Sequence, residues 1–163
     1  MKLNAKQLAV MAIFAALYAV GVIFLAPISF GPGQIRVADA MLPLTMIFGL
    51  PSAFGLSLGC LVSNIYSPFG AIDIFGGAVA NLAACVLAWY IGRNGGRIQR
   101  FAATILQSAI VALIVGTYLS PLTSVPLMLS IFGVLIGEIV AINIIGYPLQ
   151  ETIRRSKIFS KFS

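Results

Sequence analysis

The chain has 163 residues, 60% of them hydrophobic and 9% charged, with a net charge of +6 and a mean hydropathy of +1.06. A soluble domain carries about 25% charged residues, so this composition excludes one, and at about 20 apolar residues per crossing the length allows five or six spans. The basic residues cluster at the ends of apolar runs, which argues against a nucleic-acid binder, and with no histidine and two well-separated cysteines, Cys60 and Cys85, neither a zinc nor a redox site is expected.

The first span is expected over 7–26. Lys2 and Lys6 ahead of it resemble the n-region of a signal peptide. The apolar run is too long for an h-region, however, and no small-residue cleavage site precedes the following loop, so it reads as a retained span. A Pro/Gly loop follows, and the polar run Gln34-Ile35-Arg36-Val37-Ala38-Asp39 opens the second span, 37–48. The remaining spans are expected over 52–65, 73–92, 101–119 and 127–149. A helix of about 13 residues reaches roughly 20 Å, so the second and third are either short tilted spans or a re-entrant pair. Lys2 and Lys6, then Arg93, Arg97 and Arg100, then Arg154, Arg155, Lys157 and Lys161 mark one side, nine of the ten basic residues. The positive-inside rule makes that side, and both termini, cytoplasmic. The expectation is one all-α membrane domain over 1–163, a six-transmembrane-helix bundle in the cell membrane.

Arg36 is the exception and falls outside, with Gln34, Asp39, Asn64, Tyr66 and Asp73. In lipid each polar group is expensive and marks function by default. Glu138 lies about 16 Å into the sixth span by helical rise, and must be paired, hydrogen-bonded or protonated. Arg36, a cationic ligand or side chains of spans four and five can serve it, and the structural alternative is a neutral acid held by Ser or Asn. Asp73 reads equally as ligand contact or helix cap. Asn81, eight residues on, is interhelical glue or ligand contact. Asn64 is similar, whereas Asn143 is assigned to the inner half and left out. Arg36 and Asp39, at i and i+3, can pair locally or bind ligand, and Gln34 offers both a donor and an acceptor to a ring edge.

Small residues recur one turn apart at 12/16 and 15/19, at 55/59 and at 133/137. Such stripes let helix backbones approach closely in lipid. Packing within the bundle accounts for all three, with the alanine stripe of the first span the best candidate for an outside partner. No phosphate loop, no Ser/His or Cys/His set and no hydrolytic carboxylate pair is seen, so an enzyme is not expected and no cofactor is implied.

The run Phe30-Gly31-Pro32-Gly33-Gln34-Ile35-Arg36-Val37-Ala38-Asp39-Ala40-Met41 resembles the Gly-Pro-x-Gln-x-Arg-x-x-Glu-Ala-Leu signature of the QueT family, substrate-binding S components of energy-coupling factor (ECF) transporters associated with queuosine precursors. Matches continue in order with Gly59-Cys60-Leu61-Val62-Ser63-Asn64, Ile72-Asp73-Ile74-Phe75-Gly76-Gly77 and Gly137-Glu138, over about the whole chain. Asp39 stands where the family has Glu, one methylene shorter, and Gly33 where it has a bulky residue. The resemblance implies an outward-facing pocket in a six-helix bundle. It also implies docking, through Ala12 and Ala16, onto a membrane subunit (EcfT) with two cytoplasmic ATPases, which would supply the hydrolysis. The implied ligand is a 7-deazaguanine such as preQ1 or preQ0. Its expected contacts are Gln34, Arg36, Asp39, Asn64, Asp73, Asn81 and Glu138, with Glu138 or Asp39 on the ring edge, another acid on the ammonium, and Phe30, Phe69 or Phe75 stacking. An S component for another vitamin-like micronutrient, a proton-coupled carrier with Glu138 as relay, and a non-transporting interaction protein are the alternatives.

Overall fold

In the computed structural model, residues 4–29 and 36–156 are described, and among them no strand occurs. The first helix, α1 (Ala5–Phe24), starts where Asn4 and Gln7 cap one another, Asn4 Oδ1 accepting from Gln7 N at 2.8 Å and Gln7 Oε1 from Asn4 N at 3.1 Å. A single turn, α2 (Ala26–Ser29), follows. The expected second span is two different helices: a tightly wound 3-10 helix at Val37–Leu44, with Pro43 inside it, and a short α3 (Thr45–Phe48). Gly49, at φ 77°, then reverses the chain as only glycine does comfortably. Beyond it come α4 (Leu50–Ser63), a 3-10 turn at Asn64–Tyr66 and α5 (Ala71–Gly92), the last entered through Gly70 at φ 70°. A long helix, α6 (Arg97–Thr123), ends at left-handed Ser124.

The last rod is longer than expected, Leu127–Arg155. It is α7 (Leu127–Glu138), a π-helix (Ile139–Gly146) and α8 (Tyr147–Arg155) run together. Pro148 supplies a reason for the widened turn. It has no N–H to give, and its ring would crowd the carbonyl four residues back in a regular α-helix.

Among the described residues, four helices are long and apolar enough to cross a membrane: α1, α5, α6 and the Leu127–Arg155 rod. The segments Val37–Phe48 and Leu50–Tyr66 are shorter apolar helices. Neighbours pack in the order α1, α4, α5, α6, α7, and the 3-10 helix sits among them, touching α1, α4, α5 and α8 and above all the π-helix. Close approach rests on glycine: a Cβ on Gly59 would lie 2.6 Å from Ala15 O, and one on Gly116 would lie 2.6 Å from Ile131 Cα. The stripe at 55/59 is thus an internal seam against α1, as expected. The stripe at 133/137 divides, since Gly137 is buried but Gly133 meets nothing within 4 Å, and the close approach of α6 to α7 is made by Gly116. The alanine stripe of α1 divides, with Ala15 and Ala19 half-buried and Ala12 and Ala16 exposed.

The described chain begins and ends at one end of the bundle. Asn4, Gly49 and Trp89 line a single cleft of about 450 Å³ there, and Arg154 reaches Arg93 O at 3.4 Å. Arg100 and Arg97 both reach Glu151 at this end, tying α6 to α8. Arg93 stacks 4.2 Å over the Trp89 ring.

Candidate functional site

At the opposite end, four elements converge on Asp73. This residue lies in the first turn of α5, where the helix N-terminus favours negative charge. The cap itself is Gly70, so Asp73 is not the capping residue its position suggested. Its carboxylate turns inward and accepts from Arg36 Nη2 at 3.0 and 3.1 Å, from the Ser67 hydroxyl at 2.5 Å and from the Tyr118 hydroxyl at 2.6 Å. Asn64 Nδ2 donates to the Asp73 carbonyl at 2.8 Å. Arg36 is 4% exposed and Asp73 is fully buried. Such a pair holds in a low dielectric because the carboxylate's lone pairs are so fully used.

The local Arg36–Asp39 pair gives way to this long-range one. Arg36 precedes the 3-10 helix with ψ at 89°, so it does not share a helical face with Asp39. The two glycines of Ile72-Asp73-Ile74-Phe75-Gly76-Gly77 make the room. A Cβ on Gly76 would fall 2.7 Å from the Tyr118 ring, and one on Gly77 2.7 Å from Asn64 Nδ2 and 3.1 Å from Arg36 Nη1.

A second cluster lies deeper. The Tyr18 hydroxyl donates to Asp39 Oδ1 at 2.6 Å, while Asn81 Nδ2 donates to the Tyr18 oxygen at 2.9 Å and to Asp39 Oδ1 at 3.2 Å. The Glu138 carboxyl comes within hydrogen-bonding reach of the Asp39 carboxyl. Asp39 and Glu138 are 0% and 2% exposed. Asp39 Oδ2, Glu138 Oε2 and Asn64 Oδ1 receive no hydrogen bond from a described residue. The acids come from the two irregular helices, Asp39 from the 3-10 segment and Glu138 from the residue that enters the π segment. Irregular backbone at membrane depth is tolerated where it is buried in protein or lines a cavity, and it recurs at functional sites.

Below Glu138, Ser108 donates to Asn143 Oδ1 at 2.7 Å and Asn143 Nδ2 donates to Thr104 Oγ1 at 2.9 Å. Ser108 also reaches the Glu138 backbone carbonyl at 3.4 Å. The π turn brings positions five apart onto one face, which buries Glu138 and Asn143 together. Asn143, left out on depth, therefore adjoins the site.

The structure unites Arg36, Asn64 and Asp73 in the upper cluster and Asp39, Asn81 and Glu138 in the lower one. Gln34 and Phe30 lie outside the described residues. Phe75 is 62% exposed and Tyr66 68%, so both face away from these clusters, whereas Phe69 is half-buried against the core. Tyr18, Ser67 and Tyr118 were missed by the sequence reading. A tyrosine deep in an apolar span is itself a signal, since its buried hydroxyl needs a partner.

A comparison with protein-family models matches residues 8–155 to the family described as QueT transporter. Comparisons with curated proteins and with solved structures return no match.

Proposed function

The chain belongs to the QueT transporter family, and we propose that within it the protein is the substrate-binding membrane subunit of an ATP-driven importer of the ECF kind, with a 7-deazaguanine queuosine precursor as ligand. The observation that carries this reading is a group of buried acceptors, Asp39 Oδ2, Glu138 Oε2 and Asn64 Oδ1, that receive no hydrogen bond from a described residue. Two carboxyls in contact inside a membrane call for a proton or a cation between them. A ligand suited to them is rich in donors. The guanine-like edge of 7-aminomethyl-7-deazaguanine offers N–H groups to one acid, and its ammonium suits the other. The nitrile precursor preQ0 lacks that cation and fits less well. Asn81 and Tyr18 hold Asp39 in place, and the Arg36–Asp73 pair forms the upper wall.

In this reading the chain is one membrane domain of six helical segments in the cell membrane, with both termini cytoplasmic. The gathering of Arg93, Arg97, Arg100, Arg154 and Arg155 at one end supports that orientation. Nucleotide hydrolysis belongs to two cytoplasmic ATPases coupled through a membrane subunit, since the chain carries no phosphate loop. The exposed Ala12 and Ala16 on α1 are the surface assigned to that subunit.

Calorimetry on the purified protein tests the ligand. 7-Aminomethyl-7-deazaguanine should bind with sub-micromolar affinity, and Glu138→Gln should weaken it at least about tenfold, or about 1.4 kcal/mol. Tight binding of an unrelated vitamin, with none of any 7-deazaguanine, would overturn the substrate. The Asp39–Glu138 contact also favours a second reading, a proton-coupled carrier. Uptake into vesicles driven by a proton gradient without any ATPase would establish it.

A further inference from the structure

The three acceptors leave one need of the proposed ligand unmet, because a guanine-like ring also carries a carbonyl that must receive a hydrogen bond. We propose that Gln107 supplies that donor and is a specificity-determining residue of the site, an inference that rests on the 7-deazaguanine reading above. Gln107 was not singled out from the sequence. It lies on the inward face of α6 between Thr104 and Ser108, all three buried. Thr104 and Ser108 are engaged with Asn143. Gln107 is 0% exposed, and neither its Oε1 nor its Nε2 has a partner among the described residues.

A buried amide with both ends unsatisfied is destabilising, and native structures keep few of them. Its position gives the reason. Ser108, the next residue, reaches the Glu138 backbone carbonyl, which sets Gln107 one residue along α6 from a contact with the segment that carries one of the two acids. Along α6 it shares a line at i, i+4, i+8 and i+11 with Val111, Val115 and Tyr118, and Tyr118 reaches Asp73. Gln150 also has an unpartnered amide, but it lies twelve residues beyond Glu138 in the same rod, at the basic end.

An amide that pairs its donor with the ligand's 6-oxo group favours that group over a 6-amino group, which it can meet only by turning to present Oε1 in place of Nε2. Calorimetry on the full chain in detergent, with 7-aminomethyl-7-deazaguanine and its 6-amino counterpart as probes, reads this directly. The wild type should prefer the 6-oxo compound at least about tenfold, as expected for one buried hydrogen bond made or lost. Gln107→Leu should lower that preference several-fold, what remains coming from the ring N1–H that faces the acid and that the 6-amino compound lacks, as should Gln107→Met, the closer match in shape should the leucine variant fail to fold. The melting temperature without ligand should be unchanged or higher in both variants, since they remove an unsatisfied buried amide. An undiminished preference in the variants, no preference in the wild type, or a melting temperature lowered by several degrees in both variants would overturn the role of Gln107. If the wild type binds neither probe, the substrate reading fails, and a fall in melting temperature then shows separately that the protein itself engages the amide.

Discussion

At the scale of single residues, Asp73 is the organising group of the upper cluster. It holds a buried arginine, a tyrosine and a serine from three other parts of the chain. Asp73→Asn keeps the shape and removes the charge that compensates Arg36. Loss of one partner from a buried ion pair costs about 3–5 kcal/mol, and unfolding of the variant in detergent should show a loss of that order. The acids and Asn81 were legible in the sequence because a charge or amide stands out in an apolar run. Their partners were not. Tyr18 and Tyr118 count as apolar in a hydropathy pattern, and tyrosine near a span end reads as an interface anchor. Arg36 was found, and the local pairing with Asp39 that was one alternative for it gives way to Asp73, a partner 37 residues on that spacing within one segment cannot show.

At the scale of elements, the site depends on two helices wound to opposite degrees. Three residues per turn in the 3-10 segment and a widened turn in the π segment aim Asp39 and Glu138 at each other. The sequence locates both segments as apolar spans but not their winding, since the apolar pattern around Val37–Leu44 and Ile139–Gly146 is compatible with an ordinary α-helix. Gly146 sets their distance: a Cβ there would lie 2.6 Å from Ala40 O. Gly146→Ala should therefore push the segments apart and destabilise by about 1–3 kcal/mol, as overpacking does. The measurement is melting temperature with helix content by circular dichroism. Helix content should hold while affinity for the ligand falls.

At the scale of the whole molecule, α1 and α4 run in the same direction, since Gly55 meets Met11 and Gly59 meets Ala15. With the later helices alternating, the described chain returns to the end where it began. Cys60 and Cys85 are both buried, so they should resist maleimide in the folded protein. A single Ser156→Cys should then be labelled by a membrane-impermeant maleimide in inverted vesicles and remain unlabelled in intact cells. Labelling in intact cells would reverse the orientation.

The vertical order of the clusters has one more consequence. The upper level pairs one base with one acid, whereas the lower level sets two acids together with no base among the described residues. A solute arriving from the loop side meets a neutral rim above an acidic floor. A phosphate group would be repelled by that floor, and the Arg36 guanidinium is already held by Asp73. For the proposed ligand this means that a free base carrying an ammonium should pass where its nucleotide is turned back, so that discrimination by charge precedes any contact with the ring.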